Sequence, residues 1–495
     1  MPLTPEEIQQ FIADDSTSER KVFAKVGERY YEGDHDIRNY RVFFYDSNGD
    51  IQEDKDSSNI RISHPFFTEL VDQEVQYMTS GDRFVTSEND KLQAELDEYF
   101  DDDFRSELNE VLTCTVSDGF GYMYAYTGSD GRLKFESADS IGVVEVRAKD
   151  TDDNADYIIY WYIDRIDKGK KLIKRIQVWD TEQTYYYVQV EEGTVELDET
   201  QELNPRPHVI YEEGGDEYYR SLGFIPFFRL DNNRKQFSAL RPIKDLIDDY
   251  DLMSCALSNN LQDFTQALYV VKGFQGDNLD ELTANIKAKK RIGVSPEGDV
   301  EIRTVDIPYE ARKVKLELDE RNIYRFGMGL NSAQVGDGNI TNVVIKSRYA
   351  LLDLKCNKLE IRLKQFMRKL IKIVLDEIND KMGTDYRQKD VNIEFEREVM
   401  TNALDNAQIA QVEAQTQQTI VNTILAAAMN LGDEVVLEQL CTALDLDYDE
   451  VREQVPESPE QALTNAANVL TQSPTEPLVD VGKVEGEGDT VNTDE

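Results

Sequence analysis

Between residues 240 and 372 the apolar positions recur three and four apart. Ile243, Leu246, Ile247, Tyr250, Met253, Leu257, Leu261 and Phe264 form one series, with Pro242 near its start. That spacing predicts a helix of about 25 residues, roughly 37 Å of rod. Gly273 and Gly276 are read as its end. Residues 277 to 305 read as a small α/β insert, a short helix "LDELTANIKAKK" followed by strands "RIGVSP" and "DVEIRTVD". Pro308 opens a second, charge-dense helix, "YEARKVKLELDERNIYRF", in which Glu317 and Arg321 are ordered for an i,i+4 pair. Two rods therefore flank a small module. After a glycine-rich stretch, Ile345, Tyr349, Leu352, Cys356, Leu359, Leu363, Phe366 and Leu370 alternate steps of four and three. This predicts a heptad-like seam along one long helix.

Upstream, Thr4-Pro5-Glu6-Glu7 combines an N-cap, a proline at N1 and first-turn acids. The helix it opens is expected to break near Ser16 to Ser18 and stop at Gly33, and a second helical region is expected over 63 to 100, ending in "DEYFDDDF". From Gly119 the period changes to two: "GYMYAYTG", "GRLKFESA", "GVVEVRA", "YIIYWYID", "KLIKRIQVWD" and "TYYYVQV" read as strands separated by turn residues. Residues 119 to about 230 are thus mainly β. "DVNIEFEREV" at 390 to 399 reads as one strand and 401 to about 454 as helices rich in Ala and Gln. From Pro456 acids outnumber large apolar side chains, which predicts disorder. No internal repeat is found.

Composition changes this picture in one respect. The 495 residues carry 98 Asp and Glu against 54 Lys and Arg, a formal net charge of -44. The average surface then repels phosphates, and nonspecific adhesion to nucleic acid or anionic lipid is disfavoured. Against that background the helix from 343 on is unusual. Lys346, Arg348, Lys355, Lys358 and Arg362, with Lys364, Arg368, Lys369 and Lys372, face only Asp353 and Glu360. Two readings of this strip stay open, pairing with the protein's own carboxylates or direct contact with phosphate. The start of the chain lacks a signal-peptide pattern, its longest apolar run, "YIIYWYI", is too short to span a bilayer, and four scattered cysteines show no CxxC spacing. A reduced cytosolic protein without a zinc site is expected.

Candidate chemistry is sparse. There is no G-x-x-x-x-G-K-[ST], and His35, His64 and His208 lie outside helical ligand spacing of one another, which leaves triad and metallohydrolase readings without their usual base. Asp150, Asp152 and Asn154 suit the start of a calcium loop, but Ala155 stands where Gly is required and Trp161 where the bidentate Glu belongs. "GMGLNSAQVGDGN" at 327 to 339 follows a helix and lacks G-x-G-x-x-G, so it reads as a mobile loop and not as a dinucleotide site. Asp248 and Asp249 could hold Mg2+, although in so acidic a chain such pairs arise by chance. Lys289, Lys290 and Arg291 in "AKKR" make a small basic patch on the insert.

Three stretches carry a family resemblance: "YYEGDHDI", then "GFIPFFRLDNNRKQFSALRPIKDLIDDYDLMSCALSNNLQDF" at 223 to 264, then "GDGNITNVVIKSRYALLDLKCNKLEIRLKQF". The order of elements over residues 20 to 400 resembles the portal proteins of tailed bacteriophages, in particular the siphophage type. Asn342 and Val344 depart from the smaller residues common in that family's loop. The resemblance implies a mixed α+β portal fold with no cofactor, catalytic residue or metal. Residues 1–239 would be the wing, 240–266 and 306–330 the helical stem, and 267–305 the small α/β clip. The tunnel loop would span 331–342, the long kinked helix and wing return 343–400, the helical crown 401–455 and an acidic tail 456–495.

It further implies a ring of roughly twelve subunits, thirteen in isolated rings, at one capsid vertex. Through that ring double-stranded DNA would be packaged and later ejected. The implied partners are the terminase large subunit, a head-tail connector or adaptor, and the major capsid and scaffolding proteins. The implied setting is the virion, reached from host cytoplasm, with no membrane. Gln334, Val335, Gly336, Asp337, Gly338 and Asn339 would face DNA, Lys289, Lys290 and Arg291 would dock motor or connector, and the basic helix would pack among acidic neighbours. A Mg2+-dependent nuclease and a monomeric acidic scaffold are the alternatives, separated by a chelator-sensitive nuclease assay and by mass.

Overall fold

The computed structural model describes residues 3–264, 268–274, 294–303, 309–331, 342–397, 403–428 and 431–452, apart from short breaks within those spans. Helix α1 (Pro5–Ser16) opens on the expected N-cap, and the cap is reciprocal: the Thr4 hydroxyl accepts from the Glu7 amide, and the Glu7 carboxylate accepts from that of Thr4. Ser18 caps α2 (Glu19–Tyr31), its hydroxyl accepting from the Lys21 amide. The segment that follows contains a hairpin that the periodicity did not foretell, β1 (Phe43–Tyr45) against β2 (Ile51–Glu53). The helical region expected over 63 to 100 is α3 (Phe66–Met78), a short strand β3 (Val85–Thr86) and α4 (Asp90–Tyr99). The acidic run does not end the helices. Asp101 within it accepts from the Phe104 amide at 2.9 Å and caps α5 (Asp102–Asp118).

All six strands read from the period of two are present, in order: β4 (Phe120–Thr127), β5 (Leu133–Ala138), β6 (Val143–Val146), β7 (Tyr157–Ile166), β8 (Lys171–Trp179) and β9 (Gln183–Val190). Strands β6 to β9 form an antiparallel meander, extended by β10 (Glu196–Leu197) and β11 (Arg206–Pro207) on β9. After a hairpin of β12 (Val209–Glu213) and β13 (Asp216–Arg220), β14 (Phe227–Asp231) joins β4 and β5 in a second sheet, order β14-β4-β5. Alternation along β4 sends Phe120 and Tyr122 into a small core with Val143, Ile158 and Trp179, and Met123 and Ala125 into the main core on the opposite side.

The first rod is α6 (Lys244–Phe264). Its end comes at Phe264, earlier than the glycines suggested, because 268 to 274 is a strand, β15 (Leu268–Phe274). Its partner is β16 (Val294–Arg303), one continuous strand where two had been read, with a register shift between Lys272 and Phe274. The second rod is α7 (Tyr309–Gly327), and the long helix is α8 (Asn342–Met382), 41 residues without a break, about 60 Å. The strand expected at 390 to 399 is realised among the described residues as β17 (Asn392–Ile393), which pairs with β3. Two compact units result, Met1–Met400 and Thr401–Glu495. In the second, α9 (Ala403–Ala427) and α10 (Asp433–Leu444) share a small core of Val421, Val436 and Leu440. The tail from 456 lies outside the described residues.

The seam of α8 is buried as its heptads require. Leu352, Cys356, Leu359, Leu363, Phe366 and Leu370 join Phe67, Leu70 and Val71 of α3 in the main core. One buried cation ties that core to the sheets. Lys21 on α2 is fully buried, and its ammonium donates to the carbonyls of Ser140, Ile141 and Val143 at 2.5, 3.0 and 2.8 Å, with Asp15 3.4 Å away. Burial pulls its pKa down to about 8, against the pull of Asp15. Lys21→Met keeps most of the stem and leaves the three carbonyls without this donor, which should cost about 2–3 kcal/mol. Urea unfolding followed by the fluorescence of Trp161 and Trp179, the chain's 2 tryptophans and both in the adjoining meander, should show an earlier midpoint.

Candidate functional site

Helix α3 holds both legs of the glycine-rich stretch. On the α7 side, a Cβ at Gly327 or Gly329 would sit 2.6 or 2.1 Å from a methyl of Leu70, so any larger residue would have to push the buried Leu70 side chain aside. Met328 between them has φ +59°, the left-handed region, and Gly329 N–H returns to the Tyr324 carbonyl at 3.0 Å. The Gln73 side-chain amide then grips the backbone of Leu330 twice: Nε2 donates to its carbonyl at 2.8 Å and Oε1 accepts from its N–H at 2.9 Å. Tyr324 donates to Glu69, which together with burial pushes the phenol's pKa up, and Asn331 donates to Glu320 at 3.0 Å. Phe66 meets Tyr324 and Tyr250 edge to face, linking the two rods to the same helix.

On the α8 side, Glu74 is buried and its carboxylate lies 2.8 Å from the Lys355 ammonium. Tyr77 donates to Asp353 at 2.7 Å, and its ring lies 5.3 Å from that of Tyr349. Arg397, from the chain beyond α8, donates to Glu360 and to Asn357, the latter at 2.8 Å, and lies 3.7 Å from Asp353. Three turns of α3 therefore fix the residues before 332 and those after 348. The loop residues Gln334, Val335, Gly336, Asp337, Gly338 and Asn339 lie outside the described residues, as do Lys289, Lys290 and Arg291.

Two cations of the basic helix meet carboxylates of the same chain. Lys355 pairs with Glu74, and Lys364 with Glu360 at 2.8 Å. Lys346 and Lys358 are exposed, Arg362 is half-buried, and none of these three has an ion pair among the described residues. Arg348 lies on α8, but its side chain is outside the description.

The model for phage portal proteins, SPP1 Gp6-like, matches residues 10–444. The chain belongs to that family. It is 30% identical over 344 residues to the portal protein of Bacillus phage SPP1, covering 69% of this chain and 67% of that one. It is 25% identical over 419 residues to the portal protein of Clostridium phage phiCD119, covering 82% of this chain and 88% of the relative.

In this portal protein the structure also accounts for residues once set against a catalytic reading. His35 and His64, distant in sequence, converge on Asp251 of α6: their Nδ1 atoms lie 2.6 and 2.7 Å from its two oxygens, and the His64 amide donates at 3.0 Å. Burial alone would raise the Asp251 carboxyl, but the hydrogen bonds from His35 and His64 outweigh it and hold the group below the usual range. Spacing along the chain sets the two histidines apart, and the fold brings both to one carboxylate. Ser254 Oγ even lies 3.5 Å from His64 Nε2. Yet Ser254 is in the middle of α6, whose backbone N–H groups are taken up by the helix, so no oxyanion donors surround it. A cavity of about 620 Å3 between β5, β13 and the end of α8 is lined by neither Ser254 nor His64.

The proposed Mg2+ ligands are likewise engaged. Asp248 accepts from Tyr30 and from Lys244 at 2.6 Å, and Asp249 from Lys315 at 2.5 Å. Among the described residues no group of three or more His, Cys, Asp or Glu could hold a metal ion. Of the candidate calcium loop, Asp150 and Asp152 lie outside the description.

Sequence reasoning missed Glu69, Gln73, Glu74 and Tyr77. Their signal was weak but present: Glu74 interrupts the apolar face of "FFTELVDQEVQYM", a polar residue at a core position. Gln73→Leu, which keeps the bulk and removes both hydrogen bonds to Leu330, should speed amide exchange at Gly329 to Asn331 roughly tenfold while leaving α9 and α10 unchanged. Hydrogen–deuterium exchange of the intact chain reads this directly.

Proposed function

We propose that roughly twelve copies of this chain close into a ring at one capsid vertex, through which a terminase packages double-stranded DNA and through which DNA later leaves. The family match over residues 10–444 carries this reading. In it α6 and α7, within 240–266 and 306–330, are the stem. The strands β15 and β16 with the residues between them, 267–305, are the clip that meets the terminase large subunit and later a head-tail connector. The β-rich part before 239 is the wing, 343–400 the long helix and wing return, and 401–455 the crown. The ring sits in the virion capsid with the major capsid and scaffolding proteins around it and performs no chemistry of its own. Among the described residues no helix is long and apolar enough to cross a membrane.

The loop at 331–342 lines the channel at its narrowest part. Two features support that reading: both of its legs are braced on α3, and its own Gln334, Asp337 and Asn339 are short polar groups without a cation. A net charge of -44 keeps a translocating duplex from adhering, whereas several fixed cations would bind phosphates tightly at low salt. Lysines at Gln334, Asp337 and Asn339 should therefore slow or arrest packaging, more so at low ionic strength, with assembly unchanged. Packaging at the wild-type rate by the triple-lysine ring at low salt would remove the loop from the path of the DNA.

For the clip, changing Lys289, Lys290 and Arg291 to Glu should weaken motor stimulation or connector joining while rings still form. Equal packaging and tail joining would rule out a docking role for this patch.

A further inference from the structure

Two exposed apolar surfaces of this chain carry opposite charge. In the hairpin β1–β2, Phe43, Phe44, Tyr45 and Ile51 are 59, 49, 74 and 63% exposed, so apolar side chains project from both of its faces. Two strands of three residues are too small to stand alone in water, and uncovered aromatics on both sides mark a surface that something else covers. Its surroundings are acidic: residues 46 to 56 contain Asp46, Asp50, Glu53, Asp54 and Asp56 against Lys55. Asp46 and Asp54 spend their oxygens on backbone N–H groups of their own turns, and Glu53 lies 3.4 Å from Arg41.

The second surface is the outer face of α8. Leu351, Leu354, Lys358 and Ile361 follow steps of three, four and three, on the side of the helix away from its buried seam. The three apolar members are 43, 49 and 64% exposed. Lys346 and Arg362 flank the stripe, and the net charge of this helix face is positive in a chain of net charge -44. Neither surface covers the other within one protomer, since both remain open. The exposed side of α7, with Val314 and Leu318, is a poorer match for either because Glu310, Lys313, Glu317 and Arg321 alternate in sign along it.

We propose that the acidic aromatic hairpin of one copy docks on the cationic apolar face of α8 in the next copy. Pairing like surfaces would set like charges together, whereas pairing unlike surfaces is head-to-tail, the type of contact that closes rings. The proposal rests on the ring reading above and adds to it which surfaces meet. The test is a charge exchange in the full chain, with assembly read by native mass spectrometry and folding of each variant by circular dichroism. Asp50→Lys with Glu53→Lys, and separately Lys358→Glu with Arg362→Glu, should each lower the ring fraction at least tenfold, and the two sets combined should restore it. Wild-type ring fractions in both separate variants would overturn this contact and leave the ring reading standing. A wild-type chain that stays monomeric at every concentration would overturn both. Reversals on α8 that weaken DNA binding without affecting assembly would assign that face to phosphate and overturn the docking.

Discussion

A carboxylate with 1% of its side chain exposed is costly to leave without a cation, and in this protein Glu74 is such a carboxylate. Its partner Lys355 comes from another element 281 residues along the chain, so the pair sets where α8 lies against α3. Removing one member of such a pair typically costs about 3–5 kcal/mol, mostly because the other is stranded in a medium of low polarity. An apolar seam alone fixes a helix less well: sliding α8 along α3 by one turn keeps Leu against Leu, but it would separate Glu74 from Lys355 and Tyr77 from Asp353. The polar contacts therefore supply register to an interface whose adhesion is hydrophobic. Gln73 does the same for the other leg, since a side-chain amide bonded to both the N–H and the C=O of Leu330 fixes a backbone position that Leu70 packing alone leaves loose.

Much of the fold was legible because its signals are local. The three long strands of the meander run over eight to ten residues, and every position of the α8 heptad series from Leu352 to Leu370 is buried. The hairpin β1–β2 was illegible for the opposite reason. "FFY" and "IQE" show no alternation of buried and exposed positions, since all six residues are exposed. The end of α6 was misplaced because its β-branched and aromatic continuation, "LYVVKGF", also fits a helix until a partner strand 20 or more residues away is known. As for the candidate site, the basic strip and the glycines at 327 and 329 were visible in the sequence, but their braces were not. Glu69, Gln73, Glu74 and Tyr77 are ordinary residues on an ordinary amphipathic helix, and their importance comes from what folds onto it.

The three histidines teach a related lesson. Spacing in sequence argues against two of the histidines serving as metal ligands from one helix face. Spacing does not exclude convergence through the fold. His35 and His64 come from the segment that runs along α6, and Asp251 gathers both, while Ile60 N–H reaches Asn259 and Ile62 N–H reaches Cys255 on the same helix. The chemistry of a catalytic triad and of a fastening device is the same up to the last atom. The difference lies in the free backbone donors and open space around the hydroxyl, and Ser254 in mid-helix lacks those donors.

Charge explains why a strongly acidic chain keeps one cationic helix. At net charge -44 the copies of this protein repel one another on average, and any stable contact between them must bring opposite charge to where they meet. Cations spread evenly over the surface would be neutralised by nearby carboxylates, as Lys244, Lys315 and Arg397 are. Gathered on one helix, with the seam beneath already buried, Lys346, Lys358 and Arg362 keep a positive charge that no ion pair among the described residues cancels. The same helix begins at the glycine-rich loop, and the braces on α3 that hold the loop's base also hold that cationic face at a fixed angle to the core. The backbone at Leu330 and the outer face of α8 are thus both held by α3, through Gln73 on one side and through Glu74 and its Lys355 partner on the other.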